Sequence, residues 1–393
     1  MTLTQRNPDA SSAQAAALQP VQSGTREFRG VQALRGVAAA LVVLFHATQI
    51  WSKHASRGLN SLSWVRGAAG VDVFFVISGF VMLVSWTGKQ SARPALEFLE
   101  RRLVRIVPLY WAMTTVALLV LLGLAGSNGT ADHPRLTPLY VTASYLFIPV
   151  RDSLGENSPV LPVGWTLCYE MFFYALFALA LALRKDVVRV LAPIMVTLAL
   201  LSVLRHPWWP AITLLASPLL LEFLAGVLLG QAIVQGRRLA PGLAWALLAA
   251  GSLAVLVLPA YGPPMLRLLG WGLPAIALVS GAVMLEPQLA PRIPRWAILL
   301  GDSSYSLYLV HLPVLWMLEP ALVRSGLLPA GVLVNHVAAA SAHYRVHQLS
   351  VIALCVVCGM GVSLAVYHWV EQPVNQWLRG WLRTRHQRRR QAA

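Results

Sequence analysis

Apolar residues along this chain gather into runs of about 20, separated by short polar, basic or proline-containing connections. A helix rising 1.5 Å per residue crosses the hydrocarbon core of a bilayer in about 20 residues. The pattern predicts ten such spans: about Leu34–Trp51, Ala68–Ser85, 106–124, 165–183, 187–204, 212–233, 243–259, 269–285, 298–319 and 350–370. A semi-apolar piece at 139–150, too short for a span, is read as re-entrant, interfacial or packed against the bundle. Strands of a membrane barrel alternate over only about 10 residues. The fold class is therefore all-α, a polytopic helical membrane bundle with about ten transmembrane helices.

Composition agrees. The 393 residues are 57% hydrophobic and only 12% charged, against about 25% charged in soluble chains. Residues 1–27, rich in Ala, Ser and Gln, are expected as a disordered cytoplasmic lead without the apolar core of a signal peptide. Residues 28–375 form the membrane domain and 376–393 a basic cytoplasmic tail.

The formal charge of +16 is read as topology signals and lipid contacts rather than nucleic-acid binding. With both termini cytoplasmic, 22 of 31 Lys and Arg fall on the cytoplasmic side. A spanning 139–150 piece would invert that bias, which argues against it. Cys168, Cys355 and Cys358 lie in or beside apolar runs, with no disulfide framework or zinc-ligand spacing. There is no Walker A pattern, dinucleotide fingerprint, HExxH or GxSxG elbow.

Ionisable residues inside spans need pairing, hydration or function. His46 lies 11 residues beyond Arg35, about 16 Å along the first span. A neutral imidazole there can take a proton from an alcohol and pass it to a leaving group; the alternative is a structural histidine bonded across helices. Glu170, early in the fourth span, or Asp72, at the start of the second, could orient that ring. Glu170 could instead bind an acceptor hydroxyl, and Asp72 could instead cap its helix. Arg35, Arg102 and Arg105, with Arg101, Lys89 and Arg93 nearby, suit a phosphorylated anion, or simply hold basic loops at an anionic leaflet. Glu222 and His311, deep in the sixth and ninth spans, line an acceptor path or join a buried network.

In order, LRGVAAALVVLFHA (34–47), GVDVFFVISGF (70–80), RRLVRIVPLYW (101–111), GWTLCYEMFFY (164–174), GDSSYSLYLVH (301–311) and the EQP at 371–373 give a specific combination. The chain resembles the membrane-bound acyltransferase-3 family, above all its exopolysaccharide-production (ExoZ-type) members, over about residues 28–375. The resemblance implies an O-acyltransferase of the bacterial cytoplasmic membrane, moving acetyl or another acyl group from acyl-CoA to sugar hydroxyls of surface glycans. It implies His46 as catalytic histidine, Glu170 as the motif glutamate, and Arg35, Arg102, Arg105 and Tyr305 on the donor side. His311 matches the late motif's histidine; from their depth in the spans Glu222 and His311 are expected to serve the acceptor, and no metal is called for. Implied partners are acyl-CoA, a polysaccharide or lipid-linked oligosaccharide, membrane lipids and polysaccharide assembly proteins. A transporter or flippase for a polysaccharide precursor is the competing reading; a scaffold without catalysis comes third.

Overall fold

A computed structural model describes residues 28–55, 64–130, 132–206, 208–258, 264–328 and 342–391; the expected 1–27 lead lies outside them. Among the described residues all regular structure is helical. Helices α1 (Arg29–Ala55), α2 (Gly70–Trp86) and α3 (Pro94–Ala125) are followed by the short α4 (Pro138–Tyr145). Then come α5 (Trp165–Ala182), α6 (Val187–Leu201), α7 (Leu219–Val234) and α8 (Pro241–Val257). After a turn, α9 (Pro264–Arg267), runs a π-helical stretch, Leu268–Gly272, into α10 (Leu273–Met284). The chain continues through α11 (Glu286–Leu289), α12 (Arg295–Asp302) and α13 (Ser304–Arg324). It ends with α14 (Ala342–Val366), a second π stretch, Tyr367–Glu371, and α15 (Gln372–Gln391).

Nine described segments are long and apolar enough to cross a membrane, and the expected 243–259 span is the 17-residue α8. The protein is thus an all-α polytopic membrane protein. The 139–150 piece is α4 and the turn after it. It packs on α3, with Tyr140 and Ser144 buried and Tyr110 donating to the Ser144 carbonyl at 2.8 Å.

Two boundaries differ from the pattern. The expected 298–319 span is broken at Ser303, whose hydroxyl bonds back to the Leu299 carbonyl at 2.9 Å. Alongside, α12 presses on α1 so closely that a Cβ on Gly301 would lie 2.0 Å from the Gln32 carbonyl. The expected 350–370 span begins earlier, as α14, and the helical path continues through residue 375 into α15.

The tightest pair is α2 with α7. A Cβ on Gly79 would come within 2.1 Å of the Phe223 carbonyl, and one on Gly226 within 2.0 Å of the Val76 carbonyl. Small residues at a spanning interface let backbones touch in this way. Phe173, Phe177, Phe223 and Tyr110 fill the core on one side of this pair, and Val76, Phe80, Ala275 and Val279 on the other.

The start of α1, the start of α3 and the end of α14 meet at one end of the bundle. The starts of α2, α5 and α10 meet at the other. The two candidate regions sit at these ends.

Candidate active site

At the first end, five helices wall a cavity of about 770 Å³ counting its open mouth, with α2 giving Val71, Phe74, Ser78 and Val81. α1 contributes Arg35, α3 Arg102 and Arg105, α5 Glu170 and Tyr174, and α13 Tyr305 and Tyr308. The sequence expectation for the three arginines, Glu170 and Tyr305 thus converges on one space. Arg35 donates to Gln32 Oε1 at 3.1 Å, and Arg102 to Ser85 Oγ at 2.8 Å. Arg102 also lies 5.7 Å from the Phe98 ring centre and 5.9 Å from that of Tyr174. Tyr305 donates to the Ile106 carbonyl at 2.7 Å, which fixes the turn of α3 carrying Arg105. Arg105 itself donates no hydrogen bond among the described residues.

Glu170 is held by Tyr174 at 2.6 Å and Ser78 at 3.1 Å, both donating to the same oxygen. A further carboxylate, Glu371, is delivered by the second π stretch; π segments recur at functional sites. It is buried, accepts from Ser306 at 2.5 Å, and interacts electrostatically with Arg35 and Arg105. Sequence reasoning gave Glu371 no role, although the EQP tripeptide marked its place. Just outside, Lys89 is partly desolvated and close to Arg101 and Arg102; both effects hold its ammonium below its ordinary pKa.

His46 meets no carboxylate among the described residues. Its partner is His311, on α13, whose Nε2 lies 3.1 Å from His46 Nδ1. The contacts fix the tautomers. His311 Nδ1 is 2.8 Å from the Leu307 carbonyl, which can only accept, so that nitrogen carries the proton and Nε2 is an acceptor. His46 Nδ1 faces both that acceptor and the Val42 carbonyl at 3.0 Å, so it too carries its proton. The Nε2 of His46 is left with a free lone pair. This assignment follows from the hydrogen-bond network.

His46 and His311 do not line the arginine cavity. Tyr308 stands between: its ring is in the cavity wall and its centre is 6.4 Å from that of His311. The Tyr308 hydroxyl donates to the Val163 carbonyl at 2.9 Å and is 2.9 Å from Thr166 Oγ1.

These contacts place three further candidate residues. His311 is fully buried with both ring nitrogens engaged, so it orients His46 rather than lining an acceptor path. Asp72 does not orient His46, because Arg267 takes both its oxygens, Nε to Oδ1 at 3.0 Å and Nη2 to Oδ2 at 2.8 Å. Glu222 is fully buried beside that pair and against Gly272, where a Cβ would lie 2.6 Å from its Oε1. It does not line the cavity, and its two buried oxygens have no hydrogen-bond partner among the described residues.

Arg267 closes this second end of the bundle. Its guanidinium lies 5.1 Å from the Trp271 ring centre and 5.8 Å from that of Trp165. In the sequence it counted only as an outer-loop charge. Cys168, three residues after Trp165 on α5, is buried, its Sγ 3.6 Å from the Gly164 carbonyl.

Comparison with known proteins adds the following. Residues 28–370 match the family described as "Acyltransferase domain". The exopolysaccharide production protein ExoZ of Rhizobium meliloti is 37% identical over 273 residues, covering 68% of this chain and 80% of that protein. The acyltransferase MdmB of Streptomyces mycarofaciens is 29% identical over 63% of this chain and 68% of its own length. The peptidoglycan O-acetyltransferase OatA of Listeria monocytogenes is 27% identical over 44% of this chain and 27% of its own length. No solved structure matches.

Proposed function

This chain belongs to the Acyltransferase domain family of membrane-bound acyltransferases, and we propose that it transfers an acyl group, acetyl above all, from acyl-CoA to a sugar hydroxyl. The acceptor is a surface polysaccharide or exopolysaccharide, or its lipid-linked precursor. The likeness to ExoZ, an exopolysaccharide production protein, supports the polysaccharide, and the likeness to an O-acetyltransferase supports acetyl and oxygen. The setting is the bacterial cytoplasmic membrane. Both termini and the arginine-lined mouth face the cytoplasm, where acyl-CoA is made.

The observation that carries the reading is the free Nε2 of His46. Val42 and His311 hold the Nδ1 proton away from it. An acceptor hydroxyl bound at that nitrogen gives up its proton to it as the oxygen attacks the thioester carbonyl. The carbon–sulfur bond breaks, and the departing CoA sulfur takes the proton back from His46. The positive charge that His46 carries in between is relieved at once. Arg35, Arg102 and Arg105 hold the phosphates, with paired N–H donors well suited to phosphate oxygens. Glu170, fixed by Ser78 and Tyr174, keeps the mouth from becoming purely cationic. The cavity carries the pantetheine arm inward to Tyr308, whose ring stands between the cavity and the His46–His311 pair.

The test uses purified protein, acetyl-CoA and an acceptor polysaccharide. Acetyl transfer that disappears in a folded His46→Ala variant supports the reading. Transfer at an unchanged rate in that variant removes His46 from the reaction.

A further inference from the structure

The arginine mouth does not end at the cavity wall. Helix α15 lies along α3, tied by Arg385 Nη1 to Glu100 Oε1 at 3.3 Å. Six residues back along α15 stands Arg379, and five residues forward along α3 stands Arg105. At 1.5 Å per residue these steps are roughly 9 and 7.5 Å, so antiparallel packing brings the two arginines level. Arg379 accordingly has Arg105 and Arg383 as its like-charged neighbours.

Every nearby carboxylate is already engaged. Glu97 binds Arg101, Glu100 binds Arg385 and Glu371 accepts from Ser306. Arg105, Arg379 and Arg383 form no salt bridge and donate no hydrogen bond among the described residues. Three guanidiniums whose donors are idle, with the buried Glu371 as a carboxylate acting on Arg105 and Arg379, keep a net positive charge and make a site for a multiply charged anion.

The faces of α15 say which anion. At 100° per residue, Arg379 and Arg383 lie on the side of the helix roughly opposite Trp377 and Trp381. The two indoles are 70% and 51% exposed, the disposition of a helix face at a membrane–water interface. Leu382, between the two faces, is buried against the bundle. The aromatic face therefore serves the lipid, and the exposed arginine pair lies on the other side, with Arg379 beside the cavity-lining Arg105.

We propose that Arg379 and Arg383, with Arg105, form the cradle for the 3′-phosphate of the acyl donor's CoA nucleotide. The inference rests on the reading of acyl-CoA as donor. The cavity arginines then face the pyrophosphate, and the pair on α15 takes the outermost phosphate, a monoester with a charge near −2. A helix beyond the last span thus becomes part of donor selection. A phospholipid headgroup offers the same phosphate chemistry, and the test separates the two.

Binding of CoA and of 3′-dephospho-CoA is measured by calorimetry on the full chain in zwitterionic nanodiscs. Wild type is expected to favour CoA by tenfold or more. The double variant Arg379→Ala/Arg383→Ala is expected to lose that preference, with dephospho-CoA affinity and thermal unfolding unchanged. A double variant that keeps the wild-type preference overturns the proposal while leaving the donor reading intact. Wild type that binds neither compound overturns the donor reading and the proposal with it. Equal binding of the two compounds by wild type, with binding of anionic-lipid nanodiscs that weakens in the double variant, assigns the pair to lipid and also overturns it.

Discussion

Arg267 and Arg105 sit at opposite ends of one bundle and live in opposite circumstances. Arg267 has a carboxylate bonded through two nitrogens and an indole near at hand on two sides. Arg105 has a tyrosine fixing the turn beneath it and no hydrogen-bond acceptor of its own among the described residues. The difference separates two uses of the same side chain. A guanidinium whose donors are spent inside the protein holds helices together. One whose donors are idle beside a cavity waits for something the protein does not contain.

Substitutions at each end can break this contrast. Arg267→Met is expected to have the largest effect, because it strands Asp72 and Glu222 in a buried site with no cation. Loss of one partner of a buried ion pair costs about 3–5 kcal/mol, read as a fall in thermal unfolding temperature in detergent. His46→Ala should reduce kcat by about a thousandfold with unfolding unaltered, within the range typical of general bases. His311→Ala should lower kcat on the order of a hundredfold with the KM for acyl-CoA unchanged, since it frees the ring it orients. His311→Gln should restore part of that rate, because its amide oxygen can accept the Nδ1 proton. A purely structural His311 would show equal losses in both variants. Arg105→Ala should raise the KM for acyl-CoA about tenfold and leave the unfolding temperature where it was. If it instead destabilises the protein as Arg267→Met does, the contrast between the two ends fails. Cys168→Ser should change turnover less than about twofold, since a hydroxyl can keep the bond its thiol donates to the Gly164 carbonyl.

The spans were readable because each is a run of apolar residues whose length the bilayer dictates. The arginine cluster was readable because Arg102 and Arg105 sit on one helix three residues apart. The break at Ser303 was half-readable: the polar Asp302, Ser303 and Ser304 interrupt the 298–319 run, but the close approach of Gly301 to Gln32 on α1 has no signal in the sequence. The partner of His46 was also hidden. Two carboxylates, Glu170 and Asp72, competed for that role, and the contact that decides it joins positions 265 apart in the chain. Glu371 escaped because a π stretch, which no periodicity announces, sets the angle at which it enters the mouth.

The glycine seam between α2 and α7 reaches further than packing. Asp72 lies seven residues before Gly79, and Glu222 four before Gly226. Fused along that line, the two helices form a single strut that carries both acids to one end. Ser78, the brace of Glu170, rides on the same strut next to Gly79. One added methyl at either glycine would wedge the strut apart, and the disturbance would arrive at both ends of the molecule together.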